Sequence, residues 1–167
     1  MAETLGLAVN CMAVVDLAAK LATTLYTYGK EVSGARDEIN RLREQVGRLG
    51  EVTRSVHGLL ERHGEASRNL RTFQLIEDGV FETETNFVRL SQDLDISGTR
   101  RSMRRFGFRA LKWPFSQSEV ASILSSLEDC FQTLSQSLQV DQTWVLQVHS
   151  QMALELTKPC QLRFAGC

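Results

Sequence analysis

Residues 32–60 read VSGARDEINRLREQVGRLGEVTRSVHGLL and hold the clearest period in the sequence. Apolar residues recur there in two rows with heptad spacing, as at the a and d positions of packed helices, and Arg and Glu fill many of the positions between them. The pattern predicts one long helix, in a bundle or in a coiled coil. The first row is Val32, Ile39, Val46 and Leu60, with Thr53 at the missing position, and the second is Ala35, Leu42, Leu49 and Val56.

Further apolar stretches on both sides of this segment predict more helices. One runs from residue 4 to Tyr28, before the heptad segment. Another begins after Gly64, and Gly79 inside it indicates a kink or an early end, because glycine disfavours helix by about 1 kcal/mol relative to alanine. The apolar positions of this second stretch are Leu70, Phe73, Ile76, Val80, Phe87 and Leu94.

The last third of the chain carries a strong helix-start signal. Ser116 and Glu119 have the spacing of a capping box, in which each side chain accepts a hydrogen bond from the other residue's backbone N–H. A helix is expected from there to about Leu138, and a final helix from about Asp141 that ends before Pro159. The apolar face of the first of these is Val120, Ile123, Leu124, Leu127, Phe131, Leu134 and Leu138.

These patterns together predict an all-α fold, a helical bundle of four to five helices. No stretch of useful length alternates with the period of a strand. The bundle is expected to occupy residues 1–157, and residues 158–167 form an unassigned tail.

The composition is that of a globular protein. Of the 167 residues, 43% are hydrophobic and 23% charged, and the net charge is −1, which by itself favours neither nucleic acid nor an acidic partner. Glu3 stands where a signal peptide would carry positive charge. The four cysteines are scattered without a metal-binding spacing, which favours a reducing setting and a cytoplasmic location.

The sequence offers no catalytic chemistry. It contains no phosphate-binding loop, dinucleotide-binding turn, nucleophile elbow or zinc-protease motif. His57 and His63 are six residues apart, which places them on different faces of a helix, and His149 is isolated. We therefore expect no enzyme, no cofactor, no metal site and no small-molecule substrate, and a function exerted through macromolecules or a membrane.

The first apolar stretch is unusual because residues 4–15 carry no charge. It is either a core helix, apolar nearly all round because neighbours surround it, or a helix that leaves the bundle and enters a membrane. Twelve uncharged residues alone are too few to cross a bilayer, which takes about 20. The candidate membrane-inserting residues are Leu5, Leu7, Val9, Val14, Val15, Leu17 and Leu21.

Residues 100–115, RRSMRRFGFRALKWPF, interleave six cations with large apolar side chains. This composition fits an anionic lipid surface, where charges meet headgroups and rings sit at the interface. It also fits a nucleic-acid backbone with base stacking, or a structural role at the end of the bundle. We regard nucleic acid as the weakest of the three. The candidate binding residues are Arg100, Arg101, Arg104, Arg105, Arg109, Lys112, Phe106 and Trp113.

Three stretches resemble the fungal HeLo-like domains, the N-terminal domains of STAND (NLR-like) innate-immunity receptors. The first is LGLA at 5–8 with AVVDLAAK at 13–20, and the second is EINRLREQV at 38–46. The most specific is MRRFGFRALKWPF at 103–115, followed by Glu119, Val120 and Ile123. The resemblance covers about residues 1–155 and is weakest in the third helix.

This resemblance implies a helical bundle that relays or executes cell death. It implies self-association on activation, contact with other STAND-type signalling proteins, and recruitment of the N-terminal helix to the plasma membrane. No nucleotide-binding domain follows the bundle in this sequence, so a stand-alone executioner, a truncated receptor and an inhibitory decoy all remain open. The alternative function is a helical protein-interaction adaptor that oligomerises through the heptad rows of residues 32–60.

Overall fold

Four helices follow the apolar stretches of the sequence. In the computed structural model, which describes residues 2–32, 34–64, 70, 72–94 and 113–156, these residues form no strand. The prediction of an all-α helical bundle is therefore confirmed. The helices are α1 (Ala2–Glu31), α2 (Arg36–His63), α3 (Phe73–Asp93) and α4 (Gln117–Leu156).

The helices pack as a square in which α1 and α4 lie diagonally opposite. Both α1 and α4 pack against α2 and against α3. α1 runs antiparallel to α2, since Gly29 lies beside Ile39 near one end and Gly50 lies beside Ala18 further along. The core fills the space between the four helices.

The two heptad rows of α2 are buried in this core. Leu42, Val46, Leu49 and Val56 are fully buried. The buried Thr53 satisfies its hydroxyl within the helix by donating to the Leu49 carbonyl, 2.8 Å away. The rows therefore pack within one chain, as in a bundle. The prediction that one helix begins at Val32 is wrong, because α2 begins at Arg36.

Two glycines have different effects on the helices. α2 ends at His63, and the following Gly64 adopts a positive φ of 49°, a region that side chains with a Cβ rarely enter. The helix does not end early at Gly79, since α3 runs unbroken from Phe73 to Asp93. A Cβ at Gly79 would lie 3.0 Å from the Leu134 Cδ2, so this glycine lets α4 approach closely.

The prediction of a separate final helix from Asp141 is also wrong, because α4 continues through it to Leu156. Asp141 is fully buried. Its carboxylate accepts hydrogen bonds from the backbone N–H of Thr72, at 3.4 Å, and from the Thr72 hydroxyl. Thr72 is the N-cap residue of α3. Asp141 therefore supports the start of α3, a helix that is distant from it in sequence.

The capping box at the start of α4 is confirmed. The Ser116 backbone N–H donates to the Glu119 carboxylate at 2.7 Å, and the Glu119 N–H donates to the Ser116 hydroxyl oxygen at 3.3 Å. These hydrogen bonds, from the backbone and then from the Ser116 side chain, hold the pKa of Glu119 below its ordinary value.

The thiols of Cys11 and Cys130 are free and buried, and they pack in the core as small apolar groups. Burial raises the pKa of Cys11 to about 12 and also raises that of Cys130. Both cysteines therefore stay protonated near neutral pH. Cys160, Cys167 and the rest of the tail predicted at 158–167 lie outside the described residues.

Candidate functional site

α1 has one face in the core and one face in solvent. Cys11, Val14 and Leu25 are fully buried on the inner face. On the outer face, Leu5, Val9 and Met12 are 68%, 60% and 43% exposed. Their spacing of four and then three residues places these three side chains in one stripe. The outer face therefore begins with an apolar stripe, and its first described charged side chain is that of Asp16.

The seven residues predicted to insert into a membrane are divided between these two faces. Leu5 and Val9 point outward. Leu17 is partly buried against the core. The remaining four are buried: Leu7, Val14, Val15 and Leu21. The prediction treated the segment as apolar nearly all round. In the fold, one side of the helix packs in the core and the other side is exposed to solvent.

α1 is 30 residues long and thus extends well beyond the uncharged residues 4–15. The stretch Leu5–Glu31 is 27 residues long, and its most apolar 18-residue window has a mean hydropathy of 1.7, with one third of that window buried. At a rise of 1.5 Å per residue this helix extends about 40 Å, against a hydrocarbon core of about 30 Å. By length and composition, it is the one helix of the described chain that can cross a membrane.

Apolar contacts alone hold most of α1 to the other helices. Within the described residues, no side chain between positions 5 and 25 makes a hydrogen bond or an ion pair to another helix. The Thr23 hydroxyl donates to the Ala19 carbonyl at 2.9 Å, and the Thr27 hydroxyl donates to the Thr23 carbonyl at 3.1 Å, so both bonds stay within α1. Release of residues 5–25 would therefore break no hydrogen bond to the described parts of the neighbouring helices.

α4 is attached differently, through a polar cluster with α2. The Glu128 carboxylate accepts hydrogen bonds from Gln132 and from Gln45, both at 2.7 Å, and pairs with Arg48 at 3.3 Å. These contacts, the one from Gln132 first, lower the pKa of Glu128. The Arg48 guanidinium also lies 4.0 Å from the centre of the Phe131 ring. Together with Asp141, this cluster ties α4 to both of its neighbours.

Of the predicted basic and aromatic binding residues, the structure describes Trp113. Its indole Nε1 donates to the Glu38 carboxylate at 3.1 Å, and its ring packs edge-on against Tyr28 and Phe115. Trp113 therefore joins α1, α2 and the start of α4. The other predicted members lie outside the described residues: Arg100, Arg101, Arg104, Arg105, Arg109, Lys112 and Phe106.

The described parts of the two candidate regions lie at opposite ends of α1. Trp113 contacts Tyr28, near the end of the helix, whereas Val9 lies in its exposed first part. The separation of Val9 and Tyr28 in sequence corresponds to about 28 Å along the helix. The structure therefore does not bring Trp113 together with the exposed apolar stripe.

A third group was missed by the sequence analysis. Lys30 places its Nζ 4.5 Å from the centre of the Tyr26 ring, and the Arg43 Cζ lies 5.9 Å from it. The four-residue spacing of Tyr26 and Lys30 could have indicated the first contact. The second joins α1 to α2 and needs the fold.

His57 and His63, the two histidines whose side chains the structure describes, share no site. His57 Nδ1 lies 3.7 Å from a Glu61 carboxylate oxygen, and His63 is the last residue of α2. Within the described ranges, no three His, Cys, Asp or Glu side chains are grouped as metal ligands would be. The His149 side chain lies outside the description.

Comparisons with protein-family models, with curated proteins and with solved structures found no match. The function proposed below therefore rests on the residues of this chain and on the resemblance of its three sequence stretches.

Proposed function

We propose that this chain is a non-enzymatic, HeLo-like cell-death signalling domain that acts on membranes through α1 when it is activated. The observation that carries the proposal is that α1 combines the properties of a membrane-spanning helix with an attachment to the bundle through apolar contacts. The helix is long and apolar enough to cross a bilayer and is exposed along Leu5, Val9 and Met12. Between residues 5 and 25 it is held to the described parts of the bundle without hydrogen bonds or ion pairs.

The apolar character of this attachment lowers the barrier to release. A buried hydrogen-bonding group that loses its partner costs about 1–3 kcal/mol, and release of residues 5–25 incurs no such loss. The inner face, with Val14 and Leu25, would pass from the apolar core to an apolar lipid environment. The outer stripe would leave water, which favours the transfer.

Membrane insertion of α1 favours self-association. Asp16 and Lys20 are both exposed on the bundle, and a charged side chain near the centre of a bilayer costs about 2.5–3.5 kcal/mol. Several copies that turn these charges toward a shared wet interior remove most of that penalty. Small residues at Gly6, Ala13 and Ala19 allow helices to approach closely within lipid. In the resting state the domain would be cytoplasmic.

Leakage of dye from phosphatidylcholine vesicles that contain phosphatidylserine tests this function. Val14→Glu is unsuitable because Val14 is fully buried, so an added charge would unfold the bundle. Val9→Glu is the better change, since Val9 is exposed in the bundle but would face lipid after insertion. Val140→Glu is the matched control, because Val140 is 45% exposed on α4.

We expect the wild type and Val140→Glu to permeabilise vesicles alike, and Val9→Glu to lose most of the activity while keeping its helicity and melting temperature. A folded Val9→Glu protein that leaks dye as fast as the wild type contradicts the proposal. Equal losses in both variants would also contradict a specific role of α1.

The alternative function is a helical protein-interaction adaptor. It would have to bind its partner through a surface other than the heptad rows of residues 32–60. The heptad rows of α2 are buried against the other helices, so they are not available to a partner while the bundle is folded. A wild-type protein that causes no leakage and binds no vesicles would favour the adaptor.

A further inference from the structure

A cation–aromatic cluster lies on the surface between α1 and α2. Tyr26 is 49% exposed. Lys30, one turn later in α1, places its Nζ 4.5 Å from the centre of the Tyr26 ring, and Arg43 of α2 places its guanidinium carbon 5.9 Å from it. One phenol, one ammonium and one guanidinium are thus gathered around a single ring.

Within the residues that the structure describes, the two cations of this cluster have no carboxylate partner. Neither Lys30 nor Arg43 lies within ion-pairing distance of a carboxylate in the described chain. The hydrogen bond to Lys30, then its charge, and to a smaller degree the charge of Arg43 lower the pKa of Tyr26, and no carboxylate opposes them. The surroundings of the Tyr26 hydroxyl are therefore electropositive.

We propose that Tyr26, Lys30 and Arg43 form a binding site for a phosphate group. A phosphate is an anion with several acceptor oxygens, and all three side chains can donate to it. Lysine acts as a mobile point charge and arginine as a rigid fork of donors, a combination suited to phosphate. Both cations already lie near the Tyr26 ring, so part of the ordering precedes binding.

The site uses the bundle with α1 in place. It rests on the proposed function only for the source of the phosphate, which would be the headgroup of an anionic lipid. Binding there would bring the folded domain to a membrane surface before any release of α1. A soluble phosphate compound is the other source with the same chemistry.

A purely structural role is the competing explanation. Lys30 lies in the last turn of α1, where a cation stabilises the helix by its interaction with the macrodipole. That role predicts a change of stability when Lys30 is replaced, and no effect on phosphate binding.

The first experiment titrates the full chain with inorganic phosphate and follows the ring signals of Tyr26 by ¹H–¹³C NMR. The chain has two tyrosines, so Tyr28 is an internal reference. The test variant is Lys30→Gln with Arg43→Gln. The matched control is Arg54→Gln with Arg62→Gln, which removes two positive charges from exposed positions of α2.

We expect a saturable shift of the Tyr26 signals in the wild type and the control. In the test variant the affinity should fall about tenfold or more, because two charge-assisted contacts are lost. No saturable shift in the wild type, or equal affinities in the test and control variants, overturns the proposal.

The second experiment measures sedimentation of the same proteins with phosphatidylcholine vesicles that contain phosphatidylserine. Weaker vesicle binding by the test variant than by the control identifies the phosphate as a lipid headgroup. Equal vesicle binding, together with the loss of the inorganic phosphate shift, identifies a soluble phosphate compound. Because Val9→Glu leaves the cluster intact, leakage by that variant tests the proposed function separately from this site.

Discussion

α1 and α4 occupy diagonal corners of the same bundle, and each packs against α2 and α3, yet they are attached by different forces. α4 is joined to α2 through Glu128 and to α3 through Asp141, both with hydrogen-bonded partners. Between residues 5 and 25, α1 relies on apolar contacts with the described helices, and its outer face begins with the exposed stripe of Leu5, Val9 and Met12.

This difference in attachment shows which features of a helix the bundle requires for its stability. A core helix needs an apolar inner face, which both helices have. An exposed apolar stripe adds nothing to the packing of this bundle, and polar contacts make an attachment specific to one geometry. α1 is therefore the helix whose surroundings can change with the smallest loss of specific contacts.

The largest expected change in the free energy of unfolding concerns the two heptad rows of α2, which are buried in the core of the bundle. Leu42→Ala or Leu49→Ala should lower the free energy of unfolding by about 2–5 kcal/mol, since each removes a fully buried side chain and leaves a cavity. Val9→Ala, on the outer face of α1, should change it by less than about 0.5 kcal/mol. Urea unfolding measures both. A change below about 0.5 kcal/mol at both leucines would show that the rows are not core.

The next largest expected change in stability comes from the loss of a buried carboxylate of α4, and the loss of an exposed carboxylate of α1 is the comparison. Asp141→Ala should destabilise the protein by about 1–3 kcal/mol, because the Thr72 N–H loses its acceptor in a buried site and the Thr72 hydroxyl keeps only the Ser137 carbonyl, at 3.2 Å. Asp16→Ala should have an effect within about 0.5 kcal/mol. Thermal unfolding of the two variants tests this. Equal effects would mean that Asp141 does not anchor α4 to α3.

The smallest effect concerns the start of α4. Ser116→Ala removes the N-cap hydroxyl and should destabilise by about 1 kcal/mol. The folded-state pKa of Glu119 is depressed, so the stability it contributes is present above the ordinary pKa of a glutamate and is lost as the pH falls through the folded value. The wild type should therefore exceed Glu119→Gln in stability near neutral pH and lose this advantage in acid, below the folded pKa. An advantage that persists there would contradict the assignment.

Much of the fold was predictable because local signals and packing agree. The heptad rows of α2 and the capping box of Ser116 and Glu119 act within a few residues, and the structure confirms both. Gly79 and Asp141 misled the prediction for one reason. Each residue type signals a helix boundary locally, and each instead serves a contact with a helix distant in sequence.

The candidate site was predictable in composition but not in geometry. The sequence marks the first stretch as unusually apolar, but it does not show that Leu5 and Val9 face outward while Val14 faces the core. The periodicity is weak there because apolar residues occur on both faces. The Tyr26–Arg43 contact depends on the register between α1 and α2, which only the packed structure provides.

The most direct measurement asks whether α1 must leave the bundle. A Cβ on Gly50 would lie 3.0 Å from the Ala18 Cβ, and a disulfide needs about 3.5–4.5 Å, so Ala18→Cys with Gly50→Cys can be joined after a small separation of α1 and α2. Vesicle leakage by this variant is compared in oxidising and reducing buffer, with the wild type as the control for the buffers. We expect leakage to fall to background while the disulfide holds α1 and to return on reduction. Equal leakage in both states would contradict the account.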